Sequence, residues 1–277
     1  MRFTVVTPCR NAESLIGETM HSVLRQTALS SGRATLQYLI CDGASTDGTL
    51  DVVRRHATPD VTIDSQPDSS MYDALVRGLR QGDGDWVAYL NAGDLLSERA
   101  FDTVLDVAAE HDVKWLTGIA TRYSEAGALT HFSLPFRYRR GLMIAAQYTR
   151  RPPLFLPWIQ QESTFWSSSL LRTVDLERLR TFRYAGDAYL WSCFAREADL
   201  HIVSAQLGGF RRHRGQLSET KRPYEDEVRS FASPPRVFDA LRGIVDHFLW
   251  YAPSRIKKLL NRRLIDLSAT MAVRSKA

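Results

Sequence analysis

Chemistry becomes possible where a carboxylate stands at the end of an apolar run. Leu36 to Cys41 is such a run, and it stops in Asp42-Gly43, then in Ser45-Thr46-Asp47-Gly48-Thr49 and a helical pattern. This order puts Asp42 at the C-terminal end of a parallel strand with a helix N-cap behind it, the edge at which open α/β sheets bind ligands. Ser45, Thr46 and Asp47 are all capping types. Gly43 and Gly48 supply permissive backbone where the chain turns. A second run, Trp86 to Leu90, stops in Asn91-Ala92-Gly93-Asp94. The usual phosphate cradles are missing from the sequence: Pro8-Cys9-Arg10-Asn11-Ala12 follows the first strand, not Gly-x-Gly-x-x-Gly, and there is no Walker sequence. A nucleotide held at this edge must be held by carboxylates and a metal rather than by a glycine loop.

The elements that position these groups alternate. Phe3 to Thr7 reads as a first, central strand stopped by Pro8. Asn11 is placed to cap a helix with Leu15, Ile16, Met20, Val23 and Leu24 on one face. A polar connection over 27–34 leads to strand two, Leu36 to Cys41, and then to a helix carrying Leu50, Val52 and Val53. Val61 to Asp64 is a short third strand. A helix over 71–81, a turn at Gly82-Asp83-Gly84-Asp85, a fourth strand from Trp86 to Leu90 and a helix over 98–111 complete the pattern. Strand–helix alternation of this kind predicts a parallel sheet with helices on its faces. From Lys114 the pattern changes. Lys114 to Tyr123 and Ala128 to Phe132 read as a hairpin, Gln160 to Trp166 as a strand, 187–196 as a helix and Leu200 to Val203 as a strand. Gly208 to Leu217 reads as a basic loop, and everything after Pro223 as helix.

Composition narrows the field. A chain of 277 residues can bury one large core, or a core plus an appendage. The formal charge of +5 suits an anionic ligand or an anionic membrane surface as well as it suits nucleic acid. The cationic residues are scattered and match no nucleic-acid module, so nucleic acid is not an expected partner. Cys9, Cys41 and Cys193 are odd in number and have no Cys-x-x-Cys, which argues against a disulfide framework or a zinc site and for a reducing cytosol. No apolar stretch is long enough for a signal peptide or a spanning helix.

Four landmarks then become specific: Thr7-Pro8-Cys9-Arg10-Asn11, Cys41-Asp42-Gly43-Ala44-Ser45-Thr46-Asp47-Gly48-Thr49, Ser65-Gln66-Pro67-Asp68-Ser69-Ser70-Met71-Tyr72-Asp73-Ala74-Leu75, and Tyr89-Leu90-Asn91-Ala92-Gly93-Asp94. In this order they resemble a family 2 glycosyltransferase of the GT-A fold, of the kind that builds bacterial cell-surface polysaccharides. The resemblance is looser at Gln161-Glu162-Ser163-Thr164-Phe165, Ala185-Gly186-Asp187-Ala188-Tyr189-Leu190-Trp191 and Gly209 to Ser218. It implies an α/β, Rossmann-like mixed sheet flanked by helices over 1–220, with a nucleotide-sugar half (1–112) and an acceptor half (113–220), followed by a basic helical extension over 221–277.

The resemblance also implies roles. The donor is a nucleotide diphosphate sugar, UDP-linked by expectation. Thr7, Pro8, Asn11, Asp42, Asp68, Arg77, Asn91, Ala92 and Gly93 are its binding residues. Asp94 is the ligand of Mg²⁺ or Mn²⁺, since a diphosphate with a divalent cation wants a hard oxygen donor. His213 is a further candidate ligand, and Asp187 is the general base of an inverting transfer. Trp158, Gln161, Glu162 and Trp191 are candidates for the acceptor surface. Two departures stand out. Asn-Ala-Gly-Asp is not doubly acidic, and Ser70 with Val76-Arg77-Gly78 replaces the family's commoner Gly and Asn-Lys-Gly. Within a helix over 71–81, Asp73 and Arg77 also fit a plain i,i+4 ion pair. A nucleotidyltransferase, or a relative that binds nucleotide or glycan without turnover, is the competing reading. The tail from Arg255 to Ile265 is cationic and amphipathic. Two roles suit it: a solvated or subunit-pairing helix, or a helix lying on the inner face of an anionic membrane with Leu259, Leu260, Leu264 and Ile265 inserted.

Overall fold

A computed structural model describes residues 1–149, 154, 156–212, 216 and 221–267. Among these, the strands are β1 (Arg2–Cys9), β2 (Thr35–Asp42), β3 (Val61–Ser65), β4 (Trp86–Tyr89), β5 (Leu95–Leu96), β6 (Trp115–Thr117), β7 (Ala120–Tyr123), β8 (Leu129–Ser133), β9 (Thr164–Ser167), β10 (His201–Val203), β11 (Gly208–Arg211) and β12 (Leu264–Ile265). The helices are α1 (Ile16–Leu24), α2 (Thr27–Ser30), α3 (Thr49–His56), α4 (Met71–Gln81), α5 (Ala100–Glu110), α6 (Arg140–Ile144), α7 (Leu176–Arg180), α8 (Gly186–Glu197), α9 (Lys221–Phe231), α10 (Val237–Leu249) and α11 (Ser254–Leu260).

The large sheet runs β12-β10-β6-β9-β4-β1-β2-β3, and a small one runs β5-β11-β7-β8. Strand β1 is buried from Phe3 to Cys9 because both of its faces are covered. Its alternate residues feed two cores. Phe3 and Val5 meet α1 and α5 on one face, where the Phe3 and Phe101 rings stack with centroids 4.0 Å apart. Val6 points to the other face, with Leu39 and Cys41 of β2 and Leu75 of α4. Helix α4 comes unusually close to the sheet. A Cβ on its Gly78 would collide with Val6 and lie 2.9 Å from Cys41 Sγ. Glycine at mid-helix is therefore a packing requirement here, and it lets Arg77 reach the strand ends.

Strand β9 is antiparallel to both neighbours, β4 and β6, in an otherwise parallel sheet. Its first residue therefore lies at the edge where β4 and β6 end. A single 3-10 turn, Gln161–Ser163, precedes it, so Gln161 and Glu162 arrive at that edge.

Several expectations need correction. Asn11 does not cap α1. It has φ +49°, and its side-chain oxygen accepts the Thr46 N–H (2.9 Å), which ties the end of β1 to the loop after β2. The 27–34 connection holds the short helix α2. The expected 114–123 strand breaks at Gly118, where a Cβ would lie 2.5 Å from Ala205 O. Its first part, β6, joins the large sheet, and only β7 forms the hairpin with β8. The chain after Pro223 is not all helix, since β12 pairs parallel to β10 and closes the sheet edge. Leu264 is buried there, which removes it from any membrane-facing set.

The Gly78 contact makes a prediction. Gly78→Val places branched carbon against Val6 and Cys41, and overpacking of this kind costs about 1–3 kcal/mol. A thermal melt should show a loss of several degrees; an unchanged melting point would mean that α4 can move off the sheet without penalty.

Candidate active site

The end of β2 is organised around Asp42, which is fully buried. One carboxylate oxygen accepts from the Ser45 hydroxyl. The other accepts from Ser45 N–H (3.0 Å) and Ser65 Oγ (2.7 Å). These bonds hold the Asp42–Thr46 turn closed. Asp47 adds a second brace by accepting from Thr49 N–H (3.0 Å) at the start of α3. Arg77 donates to Asp42 O and Gln66 O, both at 3.2 Å, and its Nε lies 3.3 Å from Asp64. The Asp73–Arg77 helix pair expected from spacing is absent, because Asp73 turns the other way and accepts from Arg180 Nε (2.6 Å) and Ser69 N–H (3.0 Å). Asp68 folds over Gly43, whose missing side chain leaves it room. Burial raises the Asp68 carboxyl above its ordinary range, while Arg77 and Arg10 pull it down and Asp73 and Asp42 push it up. Pro8 and Thr7 are buried at the end of β1, and the Thr7 hydroxyl lies 3.0 Å from Tyr38 OH, inside the sheet.

Strand β4 leads into Asn91-Ala92-Gly93-Asp94. Gly93 has φ +106°, a backbone state that favours glycine, and it swings Asp94 back beneath the edge. Asp94 Oδ1 accepts Arg211 N–H (3.0 Å) from β11, which lies antiparallel to β5. The buried Arg211 guanidinium pairs with Glu18 of α1. Glu162 and Gln161 come from the turn before β9. Gln161 is a brace: its amide donates to Tyr89 O, and its oxygen accepts from Asn91 Nδ2 (3.3 Å). Gly208 lies directly on the Glu162 carbonyl, so a side chain at 208 has no room. Burial, then the Glu162 charge, holds the Asp94 carboxyl well above the ordinary range. Burial pushes Glu162 up to about 7, and the Asp187 charge adds to it.

Asp187 is the second residue of α8. The first turn of α8 packs on Tyr72 of α4, where Gly186 leaves room for the ring. The Tyr72 hydroxyl accepts Asp187 N–H (3.1 Å). Glu227 of α9 clamps the approach by accepting from Arg183, Tyr184 and Ala185 N–H at 2.9, 2.9 and 2.8 Å. Asp187 Oδ1 accepts Ala188 N–H (2.7 Å). Burial pushes its carboxyl up to about 6. The Ala188 N–H, its own N–H and the Tyr224 hydroxyl oppose that rise, and Glu227 adds to it. A carboxylate poised in this range suits general-base work near neutrality.

Beside Asp187 lies a cavity of about 10 Å³, lined among others by Tyr148, Trp158, Trp191 and Tyr224. It has room for about one water. Trp158 is 38% exposed and meets the Tyr224 ring edge-on at 4.8 Å. Trp191 belongs to the core instead: it is 4% exposed and stacked on Trp115 at 5.7 Å. His213 lies outside the described residues.

The oxygen donors at the strand β4 edge fit a hard divalent cation. Asp94 is backed by Asn91, whose buried Oδ1 has no hydrogen-bond partner. Among the described residues no cluster of three His, Cys, Asp or Glu side chains forms a metal cage. A cation here would take much of its coordination from a diphosphate and water. The positioning residues Tyr72, Tyr224 and Glu227 were not among the sequence candidates for the site. Tyr72 stood in a recognised landmark, but nothing local marks Glu227, which reads as an ordinary surface-helix glutamate.

A family profile described as glycosyl transferase family 2 matches residues 4–161. A PGL/p-HBAD biosynthesis glycosyltransferase of Mycobacterium bovis is 32% identical over 228 residues, 79% of this chain and 79% of its own. The chain therefore belongs to glycosyl transferase family 2. Among solved structures, S. aureus TarS 1–349 in complex with UDP-GlcNAc matches with a TM-score of 0.65 at 15% identity, over 91% of this chain and 72% of that one. Glucosyl-3-phosphoglycerate synthase from Mycobacterium tuberculosis, in complex with Mn²⁺, UDP and phosphoglyceric acid, matches with a TM-score of 0.53 at 17% identity, over 83% and 76%. The fold is that of the GT-A glycosyltransferases.

The raised Asp187 value has a consequence for stability. Glu162, Tyr72, Tyr224 and Glu227 all face this carboxylate, and none of them is a cation. A folded value above the unfolded one means stability is full below about pH 4 and is lost as pH rises to about 6. Asp187→Asn removes that loss while keeping the Ala188 bond. Above about pH 7 the variant should gain on the order of 3 kcal/mol, or several degrees in a melt, with the gap closing towards about pH 4. A gap that does not change with pH would contradict the burial of an ionised Asp187.

Proposed function

We propose that the chain is an inverting, metal-dependent glycosyltransferase. It moves a hexosyl or N-acetylhexosaminyl group from a nucleotide diphosphate sugar, UDP-linked, to a hydroxyl of a growing cell-surface glycan or its lipid-linked form. The observation that carries this reading is the placement of Asp94 after β4, Glu162 in the turn braced to Tyr89 and Asn91, and Asp187 at the start of α8 against Tyr72, with the Glu162 charge acting on Asp94 and the Asp187 charge on Glu162. Further support comes from the family, and from neighbours in this fold crystallised with UDP-GlcNAc and with Mn²⁺ and UDP.

In this reading the nucleoside is held by Thr7, Pro8, Asn11, Asp42, Asp68 and Arg77. The diphosphate lies along Asn91, Ala92 and Gly93, with Asp94 as ligand of Mg²⁺ or Mn²⁺. When bound, such a cation would neutralise charge on the departing diphosphate. Asp187 takes the proton of the acceptor hydroxyl as that oxygen bonds to the anomeric carbon. The bond from that carbon to the phosphate oxygen breaks, and the nucleoside diphosphate leaves. Trp158 offers a flat, half-exposed aromatic face to an acceptor sugar.

Two variants separate the roles. Asp187→Asn should abolish transfer yet keep Mn²⁺-dependent stabilisation by UDP. Asp94→Ala should lose both. Thermal shifts with UDP, dTDP, GDP and ADP, each with Mn²⁺ and with EDTA, read the binding, and release of nucleoside diphosphate reads the turnover. A ligand at about 100 times its Kd adds roughly 2.7 kcal/mol, which is easily resolved. Equal donor affinity in Asp94→Ala would refute the metal assignment. Release of pyrophosphate from a nucleoside triphosphate would establish a nucleotidyltransferase instead. Undiminished transfer in Asp187→Asn would remove Asp187 as the base.

A further inference from the structure

Helices α10 and α11 are built inside out. Among the described residues, ten of the fifteen large apolar side chains left exposed lie between Val237 and Leu260. On α10, Val237, Leu241, Ile244, Val245 and Phe248 recur at spacings of three and four, a single outward stripe, with Phe238 beside it. Val237 is 78% exposed and Phe248 72%. The carboxylates of the same helix turn inward. Asp246 is buried in a pair with Arg139, and Asp239 lies against Gly141. In α11 the inversion is plainer. Lys257 is buried and donates its ammonium to Leu134 O (2.7 Å), whereas Leu259 is 82% exposed and Ile256 and Leu260 face outward with it. In water this arrangement wastes the hydrophobic effect, because leucines remain wet while a lysine is desolvated.

The charges beside the apolar face have one sign. Arg236, Arg242, Arg255 and Arg262 are exposed. Arg242 lies over the Phe238 ring at 4.1 Å, at the margin of the stripe. The two carboxylates of this segment, Asp239 and Asp246, are those turned inward. No helix of the described chain is long and apolar enough to cross a membrane. A short helix with an apolar face and a cationic margin lies in a bilayer interface.

We propose that the α10–α11 face docks on the surface of an anionic lipid bilayer, with the apolar stripe sunk to the headgroup–acyl boundary and the arginines among the headgroups. Anionic lipid complements the cationic margin, and each arginine near such a surface strengthens binding. A second copy of the chain is the poorer occupant. Face-to-face pairing would oppose arginine to arginine, with neither carboxylate of the segment turned outward to meet them. The inner side of α10 packs on α6, where Gly243 meets Leu142. Helix α6 in turn packs on α8, through Ser192 Oγ donating to Ile144 O (2.9 Å). The bilayer would thus lie on the acceptor half, outside the helices that carry Asp187. The surface does not depend on the transfer reaction, so it can fail while the enzymatic reading stands.

The test is co-sedimentation of the full chain with phosphatidylcholine vesicles, with and without phosphatidylglycerol, alongside sedimentation velocity without lipid. The expected result is binding to the phosphatidylglycerol vesicles, weakened by salt. Loss of two buried apolar side chains in Leu241→Asp/Phe248→Asp should weaken it by roughly a hundredfold. Arg242→Gln/Arg255→Gln/Arg262→Gln keeps the apolar face and should lose mainly the salt-sensitive part. Both variants alter exposed positions and should retain the parent's nucleotide-induced thermal shift, which reports folding. Absence of vesicle binding, binding unchanged in both variants, or a dimer that Leu241→Asp/Phe248→Asp splits would each overturn the proposal.

Discussion

Taking a carboxylate out of water costs several kcal/mol unless hydrogen bonds or a cation replace the lost hydration, and the C-terminal edge of the large sheet buries several. Some are answered by side chains. Asp42 is met by Ser45 and Ser65, and Asp73 by Ser69 and Arg180. Asp94, Glu162 and Asp187 are different. Asp94 and Asp187 draw on backbone N–H groups, the Glu162 charge raises the proton affinity of Asp94, and the Asp187 charge raises that of Glu162. A fold tolerates such a cluster when the group it serves brings compensating charge. The surrounding architecture works to hold these three side chains where they are.

The reversed strand β9 does much of that work. In a purely parallel sheet the residues ahead of a strand lie at the edge opposite the strands' C-terminal ends. Because β9 runs against β4 and β6, the turn that precedes it lies at their C-terminal edge, and Glu162 comes with it. Gln161 then bonds Tyr89 O and Asn91, which locks the turn to the end of β4. Small residues complete the fit. Gly208 admits the Glu162 backbone, Gly186 admits the Tyr72 ring, and Gly43 admits Asp68.

The last part of the described chain takes part in the site as well as in the surface. Helix α9 supplies Glu227, which gathers three backbone N–H groups just before Asp187, and Tyr224, which walls the cavity beside it. Strand β12 caps the sheet next to β10. Residues 113–220 and the exposed α10–α11 face are therefore parts of one packed unit, joined through α6 and α8.

What the sequence by itself determined lies mostly in the first hundred residues. Near-continuous apolar runs, ended by Asp42 and by Asn91 to Asp94, mark strands and the edge where they stop, because burial on both faces demands continuous apolar strands. Helix α4 is legible to the residue because Ser70 is a real cap, its hydroxyl accepting the Asp73 N–H at 3.2 Å. The partners of those side chains were not legible. Asp73 and Arg77 are well spaced for each other, yet each finds a distant partner, since local spacing carries no information on what packs across the helix. Trp158 and Trp191 look alike in the sequence, but one lies at the surface and the other in a stack of tryptophans. The strand broken at Gly118, the strand β12 in an apparent helical tail and the clamp made by Glu227 all depend on contacts between residues far apart in the chain. Residue types and periodicity settle which groups can do chemistry and where strands end; only tertiary packing, which sets the distance between remote segments and the water left between them, decided which of those groups meet.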